Sequence, residues 1–386
     1  MNPKTFCVAP WSCLYVDSDN TIVPCCEFKN PRKYKTENIE EYFYSDQIKQ
    51  VRKDLLNGVK NKSCKRCWRN EEAGGDSLRQ IYNRTLGLFG DSSMKEQIKD
   101  PKVENIRSFD LTLGNLCNLK CTMCSPHLSS QMLAEVNLNK ELQQFYDEDM
   151  LKQSKYNWAK ENDFVDWCNK HLPKSIHIKF TGGEPFIIPW IRSVLENIPD
   201  TQKSKCVLSF TSNLTTLNTD LFDVFGKFKE VWLSVSVEGY KETFEYIRHG
   251  HKWDTLTNNI QTVKQMKIPN LNLMINYVMQ TPSYHSIIPM TEYFDQLQLK
   301  INPMLLVYPN HFHISALSKK AKKIFLEETE NYNGYNKAFI NWARDMTSNH
   351  MEQNYEYTKK TIKHLEIFDN IRKNKHTDII PIDNLQ

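Results

Sequence analysis

The stretch LTLGNLCNLKCTMCS, residues 111–125, carries three cysteines at CxxxCxxC spacing directly after a run of β-strand-forming residues. Three thiolates so spaced, Cys117, Cys121 and Cys124, can hold a cubane iron–sulfur cluster, and a cluster bound by cysteines usually has four such ligands. The neighbouring sequence has no fourth cysteine, so one iron would be open to a ligand that is not protein. An open metal position is typical of a catalytic site rather than a structural one.

Two other interpretations of these cysteines are a zinc site and a loop of ordinary thiols. Structural zinc is usually bound by four ligands in paired CxxC or Cys/His elements, and CxxxCxxC without a partner fits that pattern poorly. Three cysteines within eight residues are also more than chance would place in one loop. The spacing therefore favours a cluster.

This stretch resembles the signature of the radical S-adenosylmethionine (SAM) enzymes. In that family the open iron binds the amino and carboxylate groups of SAM. The resemblance implies a [4Fe-4S] cluster at Cys117, Cys121 and Cys124, from which one electron splits SAM to a 5′-deoxyadenosyl radical. That radical then removes a hydrogen atom from the substrate.

A second element, Gly182-Gly183-Glu184-Pro185, follows the next predicted strand and resembles the GGEP element of the same family. In the family this segment receives the amino group of SAM, with the glutamate supplying a carboxylate. Glycines at such a turn let the backbone approach a ligand closely. The resemblance therefore implies that all four residues contribute to SAM binding.

Further SAM-binding residues are implied at the next strand ends. Asn213 lies in a turn that resembles TNG, and Ser236 lies in an element that resembles SxDG. Arg248 follows Ser236 by twelve residues, where the family has an arginine for the SAM carboxylate, and a guanidinium suits a carboxylate because its donors form a fork. Met123 stands where relatives often have an aromatic residue near the adenine. Two alternatives stay open: Asn213 can simply shape its turn, and Arg248 can be a cation at a helix C-terminus.

Strand-like and helix-like segments alternate between residues 101 and 310, which predicts an α/β fold with a parallel sheet. The predicted strands are Ile106–Leu113, Ser175–Phe180, Cys206–Thr211, Glu230–Val237, Leu271–Met279 and Lys300–Val307, and helical patterns cover 128–139, 187–197, 217–227, 253–266 and 284–296. Six such units fall short of the eight of a closed TIM barrel. The resemblance implies an open, partial (β/α)6 TIM-like barrel, with its chemistry at the carboxyl ends of the strands.

The region 1–100 is predicted to be a small cysteine-rich module with a hairpin and a helix over 45–57. Its cysteines are Cys7, Cys13, Cys25, Cys26, Cys64 and Cys67. The pattern resembles the twitch auxiliary-cluster module, including a CxxPW element at Cys7 and a continuation through Glu71, Gly74, Ser77 and Arg79. The resemblance implies a second cluster, predicted as [4Fe-4S], on Cys7, Cys25, Cys64 and Cys67. Cys13 or Cys26 can replace Cys25, and a four-cysteine zinc knuckle is the alternative.

The region 311–386 has no assigned role in the resemblance. Helical patterns cover Lys319–Met346 and Glu352–Lys373. These helices are expected to pack against the open side of the barrel and close its cavity. On the last barrel strand, core packing is expected for Met304 and Leu305, and packing of either residue against the adenine is the alternative.

Composition narrows the class of protein. The 386 residues include 50 Lys and Arg against 46 Asp and Glu, a net charge of +4, whereas nucleic-acid binding calls for a clustered basic excess. The chain start lacks the apolar core of a signal peptide, and no apolar run is long enough to cross a membrane. A cytoplasmic protein is therefore expected, in which most of the 11 cysteines bind metal rather than form disulfides.

The leading hypothesis is a radical SAM enzyme with one auxiliary cluster. Its expected partners are SAM, a reducing electron donor such as flavodoxin or ferredoxin, and a substrate that is a peptide or a small metabolite. The second hypothesis, from another class, is a zinc-stabilised binding protein whose barrel carries no catalysis.

Overall fold

The structure is a computed structural model that describes residues 4–29, 34–72, 76–85, 92–153, 163–381 and 384–385. Gly74 of the predicted continuation lies outside these residues. The helices are α1 Ala9–Ser12, α2 Ile39–Phe43, α3 Asp46–Leu56, α4 Lys65–Glu72, α5 Leu78–Thr85, α6 Ser92–Lys99, α7 Ser130–Leu138, α8 Lys140–Gln143, α9 Glu148–Gln153, α10 Asp163–His171, α11 Ile191–Glu196, α12 Asp200–Lys203, α13 Thr219–Phe225, α14 Glu242–Ile247, α15 Trp253–Gln265, α16 Ile287–Gln296, α17 Lys319–Glu328, α18 Lys337–Asn349 and α19 Tyr355–Arg372.

One nine-stranded sheet runs through the molecule in the order β3-β2-β1-β4-β5-β6-β7-β8-β9. Its strands are β1 Cys13–Val16, β2 Thr21–Val23, β3 Tyr34–Lys35, β4 Ser108–Thr112, β5 His177–Thr181, β6 Val207–Ser212, β7 Glu230–Ser236, β8 Leu271–Met279 and β9 Ile301–Leu305. From β1 through β4 to β9 every neighbouring pair is parallel. The α/β prediction is confirmed, and the sheet is consistent with a partial barrel.

Alternation along the strands separates the two faces of this sheet, because successive side chains point to opposite sides. Phe180 and Phe210 are buried on the face covered by helices, where Phe210 stacks on Phe225 of α13. On the other face, Lys179 and Ser209 occupy one row and are only partly buried. This row of the inner face is therefore polar and partly accessible.

The N-terminal hairpin continues the barrel sheet. β1 pairs with β4 in parallel, from Cys13 opposite Ser108 to Val16 opposite Leu111, while β1 and β2 are antiparallel. The strand that leads into the CxxxCxxC loop therefore has a strand of the N-terminal region as its neighbour. The division of the chain at residue 100 stays a prediction.

The C-terminal region differs from its prediction in one helix. The single helix expected over Lys319–Met346 is wrong, because α17 ends at Glu328 and α18 begins at Lys337. Asn336 fixes the break: its backbone N–H and its side-chain amide donate to the Asp295 carboxylate at 2.9 and 2.8 Å, and its side-chain oxygen accepts from the N–H of Ile301 at 2.9 Å. The second predicted helix corresponds to α19.

Hydropathy gives no described helix both the length and the apolar character needed to span a bilayer.

Candidate active site

The loop after β4 brings three thiols together. Cys117 and Cys121 are buried and Cys124 is half-buried, and Leu119 and Met123 pack among them. Burial, followed by the Cys121 thiol, raises the pKa of Cys117 to about 12. Burial, followed by the Cys121 and Cys117 thiols, raises the pKa of Cys124. The three predicted cluster ligands are therefore close neighbours in the folded chain.

Nitrogen donors surround these sulfurs. The Leu119 N–H lies 3.5 Å from the Cys117 Sγ, and the Asn213 side-chain amide lies 4.0 Å from the same atom. An Arg248 guanidinium nitrogen lies 3.8 Å from the Cys121 Sγ. Soft thiolate ligands suit iron–sulfur clusters, and hydrogen bonds to the sulfurs tune a cluster's reduction potential. The donor set and its surroundings therefore fit a cluster.

In the part of the chain that the structure describes, no three His, Cys, Asp or Glu side chains are arranged as ligands of a single metal ion. The thiolates of a cubane cluster bind different irons and do not converge on one point, so a cluster needs a wider triangle of sulfurs than a single ion does.

Gly182 and Gly183 let the GGEP turn dock against the cysteine loop. Both have positive φ, 77° and 55°. A Cβ added at Gly182 would lie 2.3 Å from the Thr112 Cγ2, and one added at Gly183 would lie 2.2 Å from the Leu116 carbonyl oxygen. The glycines are thus required by the approach of two protein segments, whereas their contact with SAM stays a prediction.

Glu184 is a buried carboxylate that ties its own turn to the end of β6. It accepts hydrogen bonds from the Ser212 hydroxyl at 2.6 Å, the Asn213 N–H at 2.6 Å and the Phe186 N–H at 3.0 Å. Burial raises the pKa of Glu184, and these donors oppose the shift. An ionised carboxylate has about four acceptor sites. The three protein donors therefore leave room for one further donor, such as an ammonium group.

Asn213 shapes its turn, which is one of the two roles that the sequence left open, whereas its contact with SAM stays a prediction. Its side-chain oxygen accepts from the Thr215 N–H at 2.9 Å, which shapes the turn, while its amide nitrogen points towards Cys117. The next residue, Leu214, has φ 53°, a conformation that favours glycine, which is the commoner residue here in the family that the turn resembles.

Arg248 and Glu238 form a buried ion pair beside the cysteines. The Arg248 Nε donates to a Glu238 carboxylate oxygen at 2.5 Å, and the Glu238 side chain is fully buried. Burial lowers the pKa of Arg248, but Glu238 and then Cys121 outweigh burial, so the pKa is raised. Arg248 does follow the last residue of α14, yet its side chain is paired with the Glu238 carboxylate. Ser236 ends β7 nearby in the chain and is buried.

Residues 111–290 match the family model described as the Radical SAM superfamily. The chain contains a radical SAM domain. The protein is accordingly an enzyme of the radical SAM type, and the match speaks against the hypothesis of a binding protein without catalysis. Among the curated proteins the comparison found no match.

Several solved structures are similar to this chain at low sequence identity. Streptococcus suis SuiB bound to the precursor peptide SuiA is 14% identical, with a TM-score of 0.38 over 84% of this chain and 70% of that chain. Native anSMEcpe with bound AdoMet and Kp18Cys peptide is 16% identical, with a TM-score of 0.40 over 65% and 64%. TYW1 with a lysine-pyruvate adduct is 15% identical, with a TM-score of 0.33 over 57% and 72%.

Outside the radical SAM domain, the N-terminal cysteines form a second group of thiols. Burial, followed by Cys64, Cys13 and Cys67, raises the pKa of Cys7. Burial, followed by Cys26, Cys7 and Cys64, raises the pKa of Cys25. All eleven cysteines of the chain are free thiols.

Cys13 and Cys26 have other surroundings. Burial raises the pKa of Cys13 to about 12, and the Ser108 hydroxyl opposes the shift. Cys26 is an exposed residue, and its charged neighbours include Asp110 and Lys179. Cys26 therefore lies near the ion pair of Asp110 and Lys179 on the inner face of the barrel.

Glu71, Ser77 and Arg79 of the predicted continuation form a network beside the N-terminal cysteines. Arg79 is 2.8 Å from the Glu71 carboxylate and donates to the carbonyl oxygen of Phe6 at 2.7 Å. The Ser77 hydroxyl donates to Glu71 at 2.5 Å. The network binds α4 and α5 to the segment that carries Cys7, which gives this part of the pattern a structural explanation.

Four charged residues in or near the radical SAM domain had no role assigned from the sequence. Glu238 stands where the SxDG element has an aspartate, and the sequence indicates no partner for it. Lys179 of β5 and Asp110 of β4 form an ion pair at 3.1 Å on the inner face. The alternation of apolar residues does not predict which residues of the two strands lie opposite each other. Arg372 reaches the cysteine loop from α19, and no local pattern marks it.

Met304 corrects another prediction. It is 45% exposed rather than packed in the core, because it lies on the open face of an edge strand. Leu305 does pack against the core, as expected.

Proposed function

We propose that this protein cleaves SAM reductively at a [4Fe-4S] cluster on Cys117, Cys121 and Cys124 and abstracts a hydrogen atom from a peptide or a small metabolite. The observation that carries the proposal is the gathering of these three thiols beside the Glu184 and Arg248 side chains, within a radical SAM domain. When bound, the cluster supplies one electron to SAM, whose sulfonium then yields methionine and a 5′-deoxyadenosyl radical.

Residues of this chain would bind and orient SAM at the carboxyl ends of the strands. Gly182, Gly183, Glu184 and Pro185 would receive its amino group, Arg248 its carboxylate, Ser236 and Asn213 its ribose side, and Met123 its adenine. The buried Glu184 supports this role, because it keeps acceptor capacity after its three protein hydrogen bonds. The Arg248 guanidinium also supports its proposed role. Glu238 holds the Nε atom, while the Nη1 atom points to Cys121 of the cysteine loop.

The N-terminal cysteines would hold one auxiliary cluster through Cys7, Cys25, Cys64 and Cys67. These four thiols act on one another's pKa values, which supports the quartet, although Cys13 and Cys26 act on them too. Cys26 is exposed, which favours Cys25 as the fourth member. With four protein ligands such a cluster has no open iron, so electron transfer is its natural role. A flavodoxin or ferredoxin in the cytoplasm would supply the reducing electrons.

The inner face of the barrel supports a substrate with both polar and apolar groups. Lys179 is one-third exposed there beside Asp110, and Trp232 and Met304 are also exposed, at 37% and 45%. A peptide or a small metabolite would meet both kinds of surface.

Anaerobic reconstitution with iron, sulfide, a reductant and SAM tests the proposal. We expect a brown protein that forms 5′-deoxyadenosine and methionine, even without substrate. Zinc in place of iron, with no cleavage of SAM, would return the protein to the binding class.

Replacing Arg248 by alanine is expected to weaken SAM binding at least about tenfold, because a charge-assisted hydrogen bond contributes roughly 1.5–3 kcal/mol. The change also leaves Glu238 buried without its partner. The double variant Arg248→Ala/Glu238→Gln removes that charge and is expected to bind SAM as weakly as the single variant. Equilibrium dialysis with labelled SAM measures the dissociation constants.

Arg192→Ala is the matched control for Arg248→Ala. Arg192 also pairs with a carboxylate, that of Glu196 at 2.8 Å, but it is exposed on α11. Its loss is expected to leave SAM affinity unchanged. Equal SAM affinities for wild type, Arg192→Ala and the double variant would assign Arg248 a structural role.

Replacing Cys64 and Cys67 by serine is expected to remove the auxiliary cluster, lowering the iron content by about four atoms per chain. SAM cleavage to 5′-deoxyadenosine should persist, because its cluster lies on another loop. Iron analysis and product chromatography on one preparation measure both. An unchanged iron content would contradict the auxiliary cluster. The control is Cys206→Ser, which removes a buried thiol far along the chain and is expected to keep the full iron content.

A further inference from the structure

The end of α19 contacts the cysteine loop on both sides of Cys121. Arg372, the last residue of this helix, donates to the Lys120 carbonyl oxygen at 2.8 Å and to the Thr122 hydroxyl at 3.1 Å. Its side chain is 1% exposed. One guanidinium therefore spans the residues before and after a predicted cluster ligand, from a helix about 250 residues further along the chain.

Two further contacts fix the orientation of this guanidinium. Glu135 of α7 lies 2.7 Å from the Arg372 Nη2 and is itself nearly buried, and the Lys120 ammonium lies 2.7 Å from the same carboxylate. The ring of Phe368, one helical turn before Arg372, lies 3.9 Å from the guanidinium carbon. A buried guanidinium with paired donors and a stacked ring has one geometry, because each alternative leaves a buried charge without a partner.

The other side of the loop rests on the end of α14. The Thr122 N–H donates to the Ile247 carbonyl oxygen at 2.7 Å, and the Lys120 N–H donates to that of His249 at 3.2 Å. α19 also reaches α14 directly, since the Tyr246 hydroxyl donates to Asp369 at 2.9 Å. The cysteine loop is thus held between the helix that precedes Arg248 and the helix that ends at Arg372.

We propose that Arg372 is a positioning residue, which holds the Lys120–Thr122 segment so that Cys121 keeps the place a cluster ligand needs, and that its charge raises the reduction potential of the cluster bound there. The proposal gives the C-terminal region a role in the radical SAM site. The proposal rests on the proposed function as far as the cluster is concerned. The contacts between Arg372 and the cysteine loop are present in the apoprotein.

The test uses the full chain with Arg372→Met, which keeps much of the apolar volume beside Phe368 and removes the charge and the donors. In the apoprotein, hydrogen exchange of amides 117–125 is expected to quicken at least tenfold, because Lys120 and Thr122 each lose a partner. In the reconstituted protein, iron from this site is expected to be lost faster to a chelator. The reduction potential, followed by electron paramagnetic resonance in a Cys64→Ser/Cys67→Ser background, is expected to fall.

Arg344→Met is the matched control, and Arg372→Lys is the second variant. Arg344 of α18 also donates to a carbonyl oxygen, that of Leu326, and to a threonine hydroxyl, that of Thr329, but within the C-terminal region. It is expected to leave exchange over 117–125 and the potential unchanged. Arg372→Lys keeps the positive charge but loses the forked donors of the guanidinium. Its reduction potential is therefore expected to lie near the wild-type value, whereas its amide exchange over 117–125 is expected to stay quicker than in the wild type.

Exchange over 117–125 at the wild-type rate in both Arg372 variants would overturn the positioning role. Normal iron retention and potential in Arg372→Met would overturn the electrostatic role. Quickened exchange in an apoprotein that binds no iron would support the positioning role while contradicting the proposed function. If Arg372→Met fails to fold, Arg372→Lys alone decides, since its exchange rates either rise over 117–125 or match the wild type.

Discussion

A protein with Cys117, Cys121 and Cys124 all replaced by alanine is expected to form no 5′-deoxyadenosine from SAM above the level of a protein-free control. These thiols lie together on the loop after β4, and a cluster cannot bind there without thiolate ligands. About four irons per chain should remain on the N-terminal cysteines, because that quartet lies on other segments. Chromatographic assay of 5′-deoxyadenosine after anaerobic reconstitution measures the first result, and iron analysis measures the second.

Cys168→Ala/Cys206→Ala is the control for the triple change. Both residues are buried in the helix-covered core, so their loss tests the effect of removing interior thiols. That variant should keep both SAM cleavage and full iron content. Cleavage of SAM by the triple variant would refute the assignment of the catalytic cluster to this loop.

Gly183→Ala is expected to destabilise the protein by roughly 2–5 kcal/mol and to disrupt the cluster loop. The residue has φ 55°, and the added Cβ would lie 2.2 Å from the Leu116 carbonyl oxygen, a backbone atom that cannot move alone. Leu116 immediately precedes Cys117, so relief of the clash would displace a predicted cluster ligand. Thermal unfolding measures the destabilisation, and iron content after reconstitution measures the damage to the site.

Gly226→Ala is the matched control on the same barrel. Gly226 follows α13 with φ −59°, and a Cβ there would meet nothing within 4 Å. Alanine at such a position is expected to be neutral or to stabilise by about 0.4–1 kcal/mol, because it restricts the unfolded chain. A Gly183→Ala protein that melts with the wild type and binds iron fully would show that the turn does not dock as described.

The sequence predicted well what depends on neighbours along the chain. Each of the six predicted barrel strands matches an observed strand to within two residues, because alternating apolar residues identify a strand whatever surrounds it. The hairpin at Cys13–Val16 and Thr21–Val23 follows from the same signal. The CxxxCxxC spacing likewise brings three thiols onto one loop by chain connectivity alone.

Contacts between distant segments escaped prediction for a physical reason. The pairing of Arg248 with Glu238 depends on how α14 returns to the end of β7, and a lone arginine does not reveal its partner. The helix break before Lys337 is fixed by Asp295, about forty residues away, which outweighs local helix propensity. The sequence pattern assigns Gly182 and Gly183 to a ligand contact, whereas the end of β4 crowds the first position and the loop before Cys117 crowds the second.

The pairing of β1 with β4 bears on how the protein can be shortened. A protein that began after residue 100 would lose the neighbour of Ser108–Thr112 and leave the main-chain groups of that strand as an open edge. Open edges pair with other chains, so such a fragment is expected to self-associate instead of surviving as an independent barrel. The cysteine-rich segment is in this respect part of the barrel sheet. Its distance from the cysteine loop is set by hydrogen bonds between strands rather than by a flexible linker.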